Sequence, residues 1–139
     1  MRMIHPVASL LCLACLVAGV TLGCVKTDAV ALGGETYPAR PGDHPIDMYL
    51  DNDAFSVEVL KGAGRPLDPA TIPPGAFRVG RIDVSGAPMA GWDAVFREAR
   101  IKARKLGGDA VHVGRVQRRT GYSTGDAKDV QLTVLRYRD

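Results

Sequence analysis

The stretch GWDAVFREARIKARKLGGDAVHVGRV, residues 91–116, decides the fold. At about 100° per residue, Trp92, Val95, Phe96, Ala99, Ala103 and Leu106 fall within one arc of about 100°, which predicts an amphipathic helix over 91–106. Gly107-Gly108 supplies the glycine stop that commonly ends a helix. Beyond it the period changes from 3.6 to 2: Val111 and Val113 share one face of a strand that runs from Ala110 to Val116.

Working outward, FRVGRIDVSG (Phe77 to Gly86) reads as the strand before the helix. Its phase shifts midway, with Phe77 and Val79 on one face and Ile82 and Val84 on the other, so a bulge is expected at Gly80. Downstream, Thr120 to Asp129 is a polar turn, and Val130, Leu132 and Val134 repeat the strand alternation. Upstream, Ile46, Met48 and Leu50 alternate with Asp47, Tyr49 and Asp51; Phe55, Val57 and Val59 repeat that pattern after the turn-like Asp51-Asn52-Asp53, and a Gly/Pro-rich loop spans 62–75. The expected fold is therefore α+β over residues 46–139: a single sheet of about four strands, in the order strand, strand, helix, strand, strand, packed on one amphipathic helix.

The N-terminus is of another kind. Residues 3–25 contain no Asp, Glu, Lys or Arg, and the run follows Arg2 and ends in Thr21-Leu22-Gly23-Cys24. A positive start, an apolar core and a small residue at the cut are the layout of a secretory signal over residues 1–23. Gly23-Cys24 resembles the lipobox of bacterial lipoproteins, which implies cleavage between Gly23 and Cys24 and acylation of the Cys24 thiol. An uncleaved membrane anchor and a plain cleaved signal are the competing readings, and Gly23-Cys24 favours the lipoprotein. The signal would carry Cys12 and Cys15 away, leaving one cysteine of the three and no disulfide or cysteine metal site. Val25 follows Cys24 where the enteric sorting rule places Asp for retention in the inner membrane; the resemblance thus implies a bacterial cell-envelope protein of the outer membrane. Residues 24–45, with Gly33-Gly34, Pro38, Pro41 and Pro45, have linker composition and are expected to tether the domain to the lipid.

FRVGRIDVSG, the alanines four apart (Ala99, Ala103) and LGGDAVHVGRV (Leu106 to Val116) together resemble small proteins of the YbjQ-like group. That group includes the outer-membrane lipoprotein sensor of the Rcs phosphorelay, whose disulfide-forming cysteines have no counterpart here. The resemblance implies a helix that ends in a small-residue segment, here Gly107-Gly108-Asp109-Ala110-Val111, turning straight into the next strand. Some relatives form rings, which implies a capacity for self-association.

With 139 residues, 46% hydrophobic, 24% charged and a net charge of +3, the chain has room for one small domain. Chemistry-bearing motifs are scarce. No Gly-Lys-Ser/Thr phosphate loop and no Gly-x-Ser-x-Gly turn occurs. His44 lies in the tether and His112 alternates with Val111 and Val113, so both are expected to face solvent or a polar rim. The acids Asp43, Asp47, Asp51 and Asp53 suggest a hard-cation site, yet from Asp51 the calcium-loop pattern meets Phe55, Ser56 and Gly62 where it needs a ligand, a glycine and a glutamate. No catalytic residue, cofactor or metal ligand is assigned, and the chain is not expected to be an enzyme.

Charge is polarised. Residues 28–68 hold eight acidic and three basic side chains, whereas 97–119 hold eight basic and two acidic. Arg97, Arg100 and Arg104 form a stripe beside the apolar arc of the helix and are the candidate interaction residues. Export argues against a nucleic-acid partner. The expected function is a lipid-anchored, non-catalytic module for protein interaction or envelope-stress maintenance, with membrane lipid and an envelope protein as partners. The alternative is a periplasmic lipoprotein that binds a metal or small ligand through 43–53, with His112.

Overall fold

The computed structural model describes residues 25–51, 53–120 and 127–139. Its elements are β1 (Val25–Ala31), β2 (Asp47–Tyr49), α1 (Val57–Ala63), β3 (Phe77–Gly86), α2 (Trp92–Lys105), β4 (Ala110–Arg119) and β5 (Ala127–Arg136), with a 3-10 turn at Pro69–Thr71. The expectation of an α+β domain with one sheet holds. The sheet is mixed and has five strands, in the order β1-β3-β5-β4-β2, and two helices accompany it. β2 runs parallel to β4, and the other neighbouring pairs are antiparallel. β3 and β4 are thus parallel with β5 between them, and α2 is the crossover that joins them.

Val95, Phe96, Ala99 and Ala103 of α2 are buried in the core with Ile82 and Val84 of β3, Val111 and Val113 of β4, and Val130, Leu132 and Val134 of β5. Each such Val, Ile, Leu or Phe side chain contributes about 1.5 to 3 kcal/mol on burial, so this layer contact is the main source of stability. The register slips between Arg78 and Gly80, as the phase shift of the sequence requires, and again between Val113 and Arg115. The turn from α2 into β4 is close-packed: Gly107 has φ +77°, and a Cβ on Gly108 would lie 2.3 Å from Cγ1 of Val134.

Two segments differ from the sequence reading. Phe55, Val57 and Val59 are not on a strand, because Val57–Ala63 is the helix α1. The Ser56 hydroxyl accepts from the Val59 amide, Glu58 sits in the first turn, and Gly64 closes the last one, so capping overrides a short period-two pattern. The burial then follows the helix period: Val59 and Ala63 face the core while Val57 is 67% exposed. Val25–Ala31, read as part of a tether, instead forms edge strand β1, paired from Val25↔Gly86 to Ala31↔Gly80. The apolar run 1–23, Gly23 and Cys24 lie outside the described residues, as does most of the 120–129 turn; Ala127–Asp129 belong to β5.

The two sheet edges are finished differently. Leu67 donates to the Met48 carbonyl at 2.8 Å and accepts from the Leu50 amide at 3.1 Å, so the 64–76 loop caps the β2 edge. On the outer sheet face that loop brings Ile72 against Tyr49, Ala110, Leu135 and Tyr137.

Candidate functional site

Asp109 is the buried acid of the core, with 7% of its surface exposed. It sits between Gly108 and Ala110, where the chain passes from α2 into β4, and three groups from distant sequence converge on its carboxylate. One Nη of Arg40 lies 3.1 and 3.2 Å from the two oxygens, His44 Nε2 lies 2.8 Å from Oδ1, and the Tyr137 amide donates to Oδ2 at 2.9 Å. Burial alone would raise the carboxyl pKa; the Tyr137 amide, His44 and Arg40 outweigh it and hold the group below its ordinary value. An ionised carboxylate only accepts, so the proton of the His44 contact resides on Nε2.

A second polar chain lies beside the first. Tyr137 donates its hydroxyl proton to Oδ2 of Asp47 at 2.7 Å, and Tyr49 Oη lies 2.7 Å from Tyr137 Oη. Each phenol has one proton, so Tyr49 donates to Tyr137. Burial, then the bonds to Tyr49 and Asp47, raise the Tyr137 pKa and keep it a neutral phenol. Backbone bonds complete the cluster: Asp109 donates to the Leu135 carbonyl at 2.8 Å, and Asp47 donates to the Asp109 carbonyl at 3.1 Å.

The arginine stripe divides. Arg100 donates to the Ala63 carbonyl, tying α2 to α1, and Arg104 Nε donates to the His44 carbonyl at 2.7 Å. Only Arg97 of the three is exposed, 3.5 Å from Asp93 on the same helix. His44 is therefore not a solvated tether residue: its side chain meets Asp109 and its carbonyl meets Arg104. Arg40 is held likewise, its amide donating to the Arg104 carbonyl at 2.8 Å. The signal available in sequence was Asp109 itself, a carboxylate set among glycines and core residues that needs cationic partners once buried. Together these bonds make the cluster a latch that pins residues 40–47 to the end of α2.

The acids of 43–53 do not converge. Asp47 accepts from Tyr137, Asp51 accepts from the Asp53 amide at 3.0 Å, and Asp43 is exposed. No group of three or more His, Cys, Asp or Glu among the described residues could hold a metal ion.

Beyond the part that the 64–76 loop covers, the sheet face away from α2 is open. One register row crosses it as Asp28, Asp83, Gln131 and Arg115. A shallow groove of about 240 Å³ is lined by Asp83, Ser85, Arg115, Gln117, Asp129 and Gln131. Arg81 bonds Oδ2 of Asp83 at 3.0 Å, whereas the shielded Oδ1 has no partner among the described residues. Arg119 pairs with Asp129 at 2.8 Å, and Arg115 makes no ion pair among the described residues. His112, half-buried, stands on the same face beside Thr133. The groove offers donors and acceptors of both charge signs, which suits a polar protein surface.

No protein-family model and no curated protein matches the chain. Among solved structures it is similar to a Francisella virulence factor, FvfA, with a TM-score of 0.50 and 10% sequence identity over 80% of this chain and 98% of that one. At that identity the likeness is one of fold alone.

Proposed function

We propose that this chain is a bacterial lipoprotein of the cell envelope, held in the outer membrane by acyl chains on Cys24, and that its domain is a non-catalytic protein-interaction module of the YbjQ-like kind. The observation that carries the reading is Gly23-Cys24 at the end of an uncharged apolar run. Two or three acyl chains anchor firmly where one binds only marginally. The open, mixed-charge sheet face supports an envelope protein as the partner, and the scattering of the 43–53 acids removes support from the metal-binding alternative.

Metabolic labelling with a palmitate analogue tests the anchor: label on the wild type and none on Cys24→Ala is expected, and equal label on both overturns it. For the partner, a photo-crosslinking residue is placed at Gln117, Gln131 or Arg97 in the full chain in cells. Capture of one protein from Gln117 and Gln131 is expected. Capture from Arg97 alone would return the contact to the arginine stripe of α2, and capture from none would overturn the interaction reading.

A further inference from the structure

The anchor and the fold together fix how the domain sits. A lipoprotein usually carries a spacer between its acylated cysteine and its first ordered element, and residues 24–45 have the composition of one. The structure removes it. Val25, covalently next to Cys24, is already paired with Gly86, and β1 continues without a break to Ala31. One residue of extended chain spans at most about 3.6 Å, so acyl chains on Cys24 bring the lipid surface up against the start of β1.

The same end of the sheet carries a surface suited to that neighbour. The last full register row there is Val25, Gly86, Lys128 and Arg118. Gly86 leads into Ala87-Pro88-Met89-Ala90, the loop before α2, and Met89 is 78% exposed, the most exposed large apolar side chain among the described residues. Lys26 flanks it on the outer face, and Lys128 reaches over the loop, its Nζ 3.5 Å from the Pro88 carbonyl. An apolar tip flanked by the exposed Lys26 amine matches an anionic headgroup layer: the tip enters the acyl boundary and the amine meets a phosphate.

We infer that the 86–90 loop, with Met89 at its tip, is a membrane-seating surface, and that the domain rests directly on an anionic bilayer with its strands standing on their β1-start, β3-end side. The inference rests on the lipidation of Cys24. It makes the lipid surface a second contact of the folded domain, and it turns the open sheet face sideways toward a partner in the same membrane.

The test uses the full-length lipoprotein in vesicles of phosphatidylethanolamine and phosphatidylglycerol. Once the signal is removed and Cys24 is acylated, the chain has no free thiol, so Met89→Cys and, at the opposite end of the molecule, Thr71→Cys each accept a single nitroxide. Both sites are exposed and outside the core; Thr71→Cys gives up the hydroxyl bond to the Asp68 carbonyl in a surface turn, while the Thr71 amide keeps its bond to the same carbonyl. Collisions with lipid-soluble oxygen and with a water-soluble nickel chelate are then compared. The Met89 label is expected to favour oxygen several-fold more than the Thr71 label, and the preference should shrink when phosphatidylglycerol is replaced by phosphatidylcholine. Equal, water-like accessibility at both sites on vesicle-bound protein overturns the seating. Failure of the anchor itself shows separately, as protein that does not float with the vesicles and takes no palmitate label.

Discussion

The two ends of the sheet are built on opposite plans. At the end where α2 finishes and β4 begins, polar groups are sequestered and matched: Asp109 takes Arg40, His44 and the Tyr137 amide, while Tyr49, Tyr137 and Asp47 form a chain of hydroxyl bonds. At the end where β1 begins and β3 finishes, Met89 projects into solvent, and the ion pairs, such as Arg118 to Glu58 at 2.9 Å, lie at the surface. Buried polar networks fail badly when a member is removed, whereas exposed pairs contribute little. One end therefore specifies the fold, and the other is free to serve a contact.

The largest effect should come from Asp109→Ala. It strands the Tyr137 amide, the Arg40 guanidinium and the His44 ring, the two side chains being about a quarter exposed, which should cost about 2 to 3 kcal/mol in urea unfolding. Asp109→Asn keeps the shape and isolates the charge. Because the folded state lowers this carboxyl's pKa below its ordinary 3.8, its stabilisation is present above about pH 3.8 and is lost as the pH falls below that. The stability gap between wild type and Asp109→Asn should accordingly be full at pH 6 and close toward pH 2. A gap that stays constant would show that shape, not charge, holds the latch.

Tyr137→Phe comes next, at about 1 to 2 kcal/mol, since it deprives Tyr49 of an acceptor and Asp47 of a donor in a half-buried site. Thermal unfolding of this variant beside Tyr49→Phe and the double variant would show whether the two hydroxyls act as one unit. At the opposite end, Met89→Ser should change stability by less than about 0.5 kcal/mol. A large loss there would erase the contrast between the ends.

Legibility in the sequence followed the reach of each interaction. The β3–α2–β4 unit and β5 were visible because their burial repeats with a local period, and the register slip at Gly80 was visible as a phase change. α1 was misread because five residues of alternation also fit a short helix, and Ser56 was the better guide. β1 has almost no pattern of its own: five of its seven residues are exposed, and its pairing with β3 supplies the order. The latch was invisible for a different reason. Arg40 and His44 are 69 and 65 residues from Asp109, a separation that no window along the chain spans.

The position of β5 carries a further consequence, for timing. It follows the other four described strands in the chain and is the middle strand of the sheet, flanked by β3 on one side and β4 on the other. Until residues 127–139 are present, β3 and β4 have no ladder between them, Val130, Leu132 and Val134 are missing from the core, and Asp109 lacks the Tyr137 amide. A nascent chain of this topology can pair β1 with β3 and β2 with β4 beforehand, but joining these two halves waits on long-range pairing with β5. The order of strands thus keeps β3 and β4 apart until β5 has been made.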